Sequence, residues 1–238
     1  MKRLLALLLV SLCLFTLFAC TNEPLPEKTA PELIQLAKDK MQTFKSYEIG
    51  MTTTQKITNG ADVSDSTAKA TLRSAANGDR YFKTVTEEKT KGSATKSTIE
   101  ITVIGEDAYM TIEALGTVQK IKTDAGTASS MEEMPTLEEM LANLSAEEFE
   151  SATVEAGTNS WTITLSMPMI PDADAIGITN MATTIVISRS YTIRSITVSY
   201  DYEQSGITGT MKVTMNFSHL GSARVSAPLN ADEYTTME

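Results

Sequence analysis

Apolar and polar residues alternate with a period of two over several long stretches of this chain. Ile99, Ile101 and Val103 alternate with polar residues, and the same pattern recurs at 47–51, 161–167, 196–202 and 211–217. Successive side chains of a strand point to opposite faces, so each stretch presents one apolar and one polar face. Threonine, which favours strands, supplies 34 of the 219 residues after position 19. The chain is therefore predicted to form an antiparallel sheet with one apolar face.

Short turn sequences separate the predicted strands. Gly105-Glu106-Asp107, Asn77-Gly78-Asp79 and Ser205-Gly206 stand where the alternation stops. Gly, Asn and Asp readily adopt the backbone angles that tight turns need. The Ser205-Gly206 turn predicts that the strands at 196–202 and 211–217 are neighbours, with their apolar residues on the same face.

Two capping boxes predict helices. Thr29-Ala30-Pro31-Glu32 precedes an apolar stripe with helical spacing, which predicts a helix over 30–44. Thr136 and Glu139 form a second box before Leu137, Leu141 and Leu144, and a further helical start precedes Phe149. Pro168 and Pro171 are expected to end the strand that begins near Trp161, and residues 172–181 are expected to form a short helix or a loop.

The N-terminus carries an export signal. Lys2 and Arg3 precede an apolar run from Leu4 to Phe18, which is too short and wrongly flanked for a membrane-spanning helix. We therefore predict a signal peptide at residues 1–19, a polar tether with two prolines at 20–28, and a single folded domain at 29–238.

The end of this signal is similar to a known processing motif. Leu17-Phe18-Ala19-Cys20 resembles the lipobox of bacterial lipoproteins, although Phe18 departs from the small or β-branched residue usual there. The resemblance implies a Gram-positive-type lipoprotein in which Cys20 carries diacylglyceryl and palmitate groups. Two acyl chains anchor a protein stably, whereas one does not. The alternative is an ordinary secretory signal with an incidental cysteine.

Charge and cysteine content exclude several classes of protein. The formal charge is −10, and without residues 1–19 it becomes −12, from 18 basic and 30 acidic residues. A duplex nucleic-acid binder needs basic residues to neutralise phosphates, so nucleic acid is not an expected partner. Cys13 belongs to the signal, which leaves Cys20 without a cysteine for an intrachain disulfide. The domain is expected to depend on its hydrophobic core.

The whole pattern is similar to one family of bacterial lipoproteins. The helix that runs into Lys45-Ser46-Tyr47, the strand–turn–strand segment 103–110, and the strands from Ile185 to Phe217 resemble the LolA/LppX/LprG-like lipoproteins. The resemblance implies an α+β, mostly β fold: a strongly curved antiparallel sheet, or half-barrel, whose concave apolar face is covered by helices. It also implies a cavity that accepts lipid acyl chains.

Apolar residues at inward-facing positions are the predicted lining of that cavity. Methionine adapts to varied apolar partners, and several methionines lie at these positions, although methionine also fills ordinary cores. The predicted lining is Met110, Trp161, Ile196, Val198, Tyr200, Met211, Val213, Met215 and Phe217.

Catalytic and metal-binding patterns are not evident in the sequence. His219 is the only histidine and has no recognisable nucleophile or orienting acid. Adjacent glutamates such as Glu138-Glu139 diverge on a helix, so they do not predict a metal site. We expect neither enzyme activity nor a cofactor or metal.

Two functions remain open at this point. The favoured hypothesis is a monomeric lipoprotein on the outer side of the cell membrane, anchored through Cys20, which binds a lipid or another apolar molecule as a carrier or chaperone. The alternative is a tethered module with a closed core that binds an envelope protein.

Overall fold

A computed structural model describes residues 25–126, 136–169 and 177–236 of the chain. Helix α1 covers Ala30–Met41 and helix α2 covers Leu137–Ala142, with 3-10 turns at Glu147–Phe149 and Ala231–Glu233. Both predicted capping boxes form. The Thr29 and Thr136 hydroxyls accept hydrogen bonds from the backbone N–H groups of Glu32 and Glu139, and the two glutamate carboxylates accept hydrogen bonds from the backbone N–H groups of the threonines.

The remaining described elements are strands. They are β1 Tyr47–Asn59, β2 Asp62–Ser74, β3 Arg80–Thr90, β4 Ser93–Ile104, β5 Asp107–Ala114, β6 Thr117–Asp124, β7 Thr153–Ala156, β8 Ser160–Met169, β9 Gly177–Ser188, β10 Ile193–Gln204, β11 Ile207–Ser218 and β12 Thr235–Thr236.

All the strands belong to one curved sheet that is not closed into a barrel. Its order is β12-β6-β5-β4-β3-β2-β1-β11-β10-β9-β8-β7, and neighbours are antiparallel except for β12, which is parallel to β6. The predicted α+β half-barrel is confirmed. The register also confirms the pairing across the Ser205-Gly206 turn, because Tyr200, Val198 and Ile196 lie opposite Met211, Val213 and Met215.

Tight turns join the long hairpins. Ser205 and Gly206 both have positive φ, at 52° and 81°, and so do Leu115 and Gly116, at 50° and 79°. A two-residue turn in which both residues have positive φ has a backbone twist that matches the right-handed twist of the strands it connects. Glycine adopts the conformation without the steric cost that Leu115 bears.

The core lies between the helices and one face of the sheet, here called the inner face. Leu33, Ala37 and Met41 of α1 are 0% exposed, and Leu141 of α2 is 1% exposed. They pack against the inner-facing residues Ile163, Trp161, Ile185, Ile187, Ile193, Ile196, Phe217 and Ile49. Most of these sheet residues belong to β8–β11, so the helices cover only one half of the inner face.

The opposite face, here called the outer face, is rich in threonine. One continuous row crosses six neighbouring strands, and the hydroxyls of Thr197 and Thr214 are 3.2 Å apart within it. The row consists of Thr52, Thr214, Thr197, Thr184, Thr164 and Thr153. Branched polar residues suit a strand face that remains partly in water, which explains much of the threonine content.

The first described residues are attached to the end of the β7–β8 hairpin. The Leu25 N–H donates to the Gly157 carbonyl at 3.0 Å, and the Trp161 indole N–H donates to the Pro26 carbonyl at 3.0 Å. Leu25 is also part of the core, at 4% exposure. We refer to these contacts as the N-terminal clip.

The C-terminal segment crosses the outer face at the other edge of the sheet. The Tyr234 ring packs edge-on against Tyr109, with 5.4 Å between centroids, and its hydroxyl lies 2.8 Å from the Thr111 hydroxyl. Lys120 pairs with Glu233 beside them. These contacts bury Tyr109 and cover part of the polar face of β5 and β6.

One sequence expectation for the third quarter of the chain is wrong. Residues 177–181 belong to strand β9 and not to a helix or loop. Strand β8 extends through Pro168 to Met169, between the two prolines that were expected to end it. The signal peptide, Cys20 and positions 170–176 lie outside the described residues.

Candidate functional site

The inner face divides into a covered half and an uncovered half. Under the helices, the side chains of β8–β11 are buried. Beyond them, Met51 on β1 is 38% exposed and Ile99 on β4 is 37% exposed, among the highest values for large apolar residues in the described strands. The uncovered half therefore presents apolar side chains to solvent.

One cross-strand row shows that this exposed surface is continuous. Met51 lies opposite Ala70, which lies opposite Thr84, and the row continues through Ile99 to Ile112. The next row toward the helices contains Ile49, Leu72, Phe82, Ile101, Met110 and Ile121. Together the two rows, apolar except for Thr84, form an apolar floor on strands β1–β6. Ile49 and Ile101 of the second row are only 4% and 2% exposed, so the first row is the part that faces solvent.

The predicted lining residues are distributed over both halves. Trp161, Ile196 and Phe217 are 1%, 6% and 9% exposed and belong to the core under the helices. Val198, Tyr200, Met211, Val213 and Met215 are half-buried and contiguous on β10 and β11. Met110 is also half-buried but lies on β5, at the other side of the uncovered half. That these side chains line a ligand cavity stays a prediction.

A polar cluster ends the apolar floor on the side away from the helices. The Gln55 side-chain N–H donates to the Tyr202 hydroxyl at 3.0 Å, and the Tyr200 hydroxyl donates to the Met211 sulfur at 2.8 Å. Tyr200 and Tyr202 are 6.4 Å apart between ring centroids. We call Gln55, Tyr200, Tyr202 and Met211 the tyrosine cluster. It is uncharged and offers hydroxyl and amide groups.

Some of these residues were not among the predicted lining, although the sequence carried a signal for them. Ile112 has the same inward parity as the predicted Met110 on β5, and Met51 and Ile99 lie directly opposite inner-facing residues of neighbouring strands. Gln55 has this parity too, but because it is polar it does not belong to the pattern of apolar positions. The position of Gly209 opposite Tyr202 becomes apparent only from the register.

Clefts occur on both sides of the sheet. On the inner side, a cleft of ≈ 400 Å³ opens between the end of α1 and α2, with Phe44, Tyr47, Leu137 and Leu141 in its walls. On the outer face, clefts of ≈ 290 Å³ and ≈ 530 Å³ share the polar residues Lys56, Asp201 and Thr210. Apolar and aromatic side chains line part of the inner cleft, whereas the residues that the two outer clefts share are polar.

Ion pairs concentrate on the outer face. Burial alone would raise the pKa of Glu48, but its hydrogen bond with Arg73 and the guanidinium charge outweigh burial, so the pKa is lowered. The hydrogen bond to Glu100, at 3.0 Å, raises the pKa of Lys83. In the helix caps, the backbone N–H of Thr29 and that of Thr136 lower the pKa of Glu32 and Glu139. Each of these groups has a structural partner.

The part of the chain that the structure describes offers little support for a metal site, a histidine-dependent reaction or a membrane-spanning helix. No group of three or more His, Cys, Asp or Glu side chains is arranged to hold a metal ion there. His219 is exposed directly after β11. Among the described helices, none has the length and apolar character that crossing a bilayer requires.

The sequence matches no protein-family model and is not significantly similar to any curated protein. Several solved structures align over most of the chain. LprF from Mycobacterium bovis is 12% identical, with 87% of this chain and 98% of that chain covered and a TM-score of 0.46.

Two further structures align less closely in space. A DUF1329 family protein from Desulfovibrio piger is 11% identical, with coverages of 88% and 98% and a TM-score of 0.25. A putative outer membrane lipoprotein-sorting protein domain from Vibrio parahaemolyticus is 13% identical, with coverages of 86% and 95% and a TM-score of 0.25.

Proposed function

We propose that this protein is an extracytoplasmic lipoprotein that binds a lipid or another apolar ligand on the uncovered half of its inner face and acts as a carrier. The observation that supports this most directly is the apolar floor. Met51 and Ile99 are each more than one-third exposed, in one continuous row on the inner face. Contiguous exposed apolar surface commonly marks a ligand or partner site.

The geometry of the floor suits acyl chains. Its longer row crosses six strands, and neighbouring strands lie about 4.8 Å apart, so the floor is roughly 24 Å wide. An extended acyl chain could lie along such a row and bury its methylene groups, each worth about 0.8 kcal/mol. The exposed Met51 and the half-buried Met110, Met211 and Met215 provide adaptable walls.

The sequence supports the location. The apolar run ends at Cys20 in a lipobox-like tetrapeptide, so we propose that the mature chain begins with a diacylglyceryl cysteine and is held at the outer surface of the cell membrane. A net charge of −12 gives the domain no attraction to anionic lipid, so the acyl groups would supply the anchoring.

A charge placed on the apolar floor tests the proposal. Met51→Glu should lower the binding of NBD-labelled diacylglycerol by at least about tenfold, because an acyl chain beside an unpaired carboxylate is disfavoured. The protein should still fold, since a carboxylate at this exposed position stays partly hydrated. Thr54→Glu is the matched control: it adds the same charge on the same strand, but on the outer face, and should leave binding unchanged.

The two variants also show which results would contradict the proposed binding surface. If wild-type protein binds no diacylglycerol, or if Met51→Glu and Thr54→Glu reduce binding equally while both remain folded, the apolar floor is not the binding surface. Thermal unfolding of both variants provides the check on folding.

A further inference from the structure

Positive charge is distributed very unevenly between the two faces of the sheet. The strand lysines around the uncovered half point to the outer face: Lys56, Lys69, Lys83, Lys89, Lys96, Lys120, Lys122 and Lys212. Arg80 is the exception among the inner-facing strand positions, and it lies at the helix-covered end beside Glu139. The apolar floor therefore has no nearby basic side chain from the described strands.

The described helix lysines do not supply a cation to this floor either. Lys38 of α1 donates to the Leu144 carbonyl at 2.7 Å, and the Lys40 ammonium lies 5.5 Å from the centre of the Phe44 ring. Both are held at the covered end. Sequence positions 127–135 and 170–176 contain four acidic residues and no Lys, Arg or His, so neither adds a basic group.

Carboxylates, in contrast, stand close to the polar end of the floor. Glu88 lies in the same inner-face row as Gln55, two strands away, at about 10 Å given the usual strand spacing. Asp62, four residues before Ser66 on β2, pairs with Lys91 at 2.7 Å, so the Lys91 ammonium in the β3–β4 turn is already bound by a carboxylate. An anionic headgroup at this end would meet the charge of Glu88 and would lose its hydration without a free cationic partner.

We infer that the ligand of the apolar floor is an uncharged lipid of the acylglycerol type, whose ester or hydroxyl groups lie at the tyrosine cluster. This inference rests on the proposed function. The Tyr202 hydroxyl accepts the Gln55 N–H, so its own hydrogen is available to donate to an ester or hydroxyl oxygen of the ligand. The cluster thus offers neutral hydrogen-bonding groups where the apolar rows end.

The experiment compares two lipids with the same acyl chains. Mature protein, residues 20–238 with Cys20→Ala, is delipidated and incubated with phosphatidylcholine vesicles that contain either dioleoylglycerol or dioleoylphosphatidylglycerol. Bound lipid is quantified by mass spectrometry after the protein is separated from the vesicles. We expect loading with dioleoylglycerol to exceed that with dioleoylphosphatidylglycerol by at least about tenfold.

A relocated cation tests the position of the headgroup. Ser66 is the cross-strand neighbour of Gln55 on the inner face, and Thr67 follows it on the outer face. Ser66→Lys should raise dioleoylphosphatidylglycerol loading several-fold by giving the phosphate a partner. Thr67→Lys, which changes net charge equally, should not.

The outcomes separate the two proposals. If neither lipid binds, the proposed function fails. If both lipids bind equally well to the wild type, or if Ser66→Lys and Thr67→Lys act alike, lipid binding stands but the preference for an uncharged lipid at the tyrosine cluster is overturned.

Discussion

The Tyr202 ring occupies the space next to the Gly209 Cα, where a side chain would otherwise stand, and Gly209 is its partner on the neighbouring strand. A Cβ at position 209 would overlap the ring, so the absence of a side chain there allows Tyr202 to cross β11 and reach Gln55 on β1. An aromatic ring that covers a strand glycine restores packing that the glycine lacks. This pair fixes the position of the tyrosine cluster.

Gly209→Ala should displace the Tyr202 ring and cost about 1–3 kcal/mol of stability, the usual range for overpacking. In a Tyr202→Ala background the same substitution should be close to neutral, because the clash is gone. Urea unfolding of the two single variants and the double variant gives the coupling. Additive effects would contradict the contact.

The stability of the protein should depend strongly on α1, which packs on the covered half of the inner face. Leu33 is 0% exposed, so Leu33→Ala should cost about 2–5 kcal/mol through lost burial and the cavity left behind. Leu229→Ala, at a fully exposed position, is the control and should change stability by less than about 0.5 kcal/mol. Similar effects of the two would show that α1 does not pack on the sheet.

The ion pair between Glu48 and Arg73 predicts part of the acid sensitivity. The folded pKa of Glu48 is lowered below its ordinary 4.5. The contribution of the ion pair to the free energy of unfolding is therefore fully present above pH 4.5 and is lost as the pH falls through the lower folded pKa. Glu48→Gln should cost about 0.5–1 kcal/mol at neutral pH, a modest value because Arg73 is partly exposed.

The difference in stability between wild type and Glu48→Gln should shrink as the pH falls below 4.5, because the wild-type carboxylate then takes up a proton at its lowered pKa. Denaturant unfolding at a series of pH values from neutral to acid measures this difference. A difference that stays constant down to low pH would show that the carboxylate charge is not responsible.

The proposed anchor predicts a change of cell fraction. Cys20→Ala in the full chain should abolish lipidation and move the protein from the membrane to the soluble fraction, because the acyl groups are its anchor. Immunoblots of fractionated cells and metabolic labelling with palmitate measure both effects. Continued membrane association of the unlabelled variant would require another anchor.

The sequence predicted the strands whose inner face is fully apolar and missed the weaker ones. β10 and β11 alternate large apolar residues with polar ones, so their pairing was predictable. The inner face of β2 consists largely of Ser64, Ser66, Ala68 and Ala70, which gives little periodic contrast. Such small residues suffice there because the helices do not pack on this half of the sheet.

Which part of the apolar face the helices cover could not be predicted, because it depends on contacts between residues distant in sequence. Trp161, Ile196 and Phe217 look as suitable for a cavity wall as Val213 or Met215. Only the position of α1 and α2 separates the buried set from the half-buried one. Alternation along a strand shows which face of the sheet a side chain points to, but it does not show whether a helix packs on that face.

The N-terminal clip limits how far the domain can stand from a membrane. Leu25 is fixed at Gly157, and only five residue steps separate it from Cys20, which span at most about 18 Å. A protein anchored through Cys20 would therefore keep the β7–β8 end of its sheet toward the bilayer. The Ser205-Gly206 turn and the tyrosine cluster lie at the opposite ends of the strands, so a bound ligand would be presented outward, away from the membrane that holds the protein.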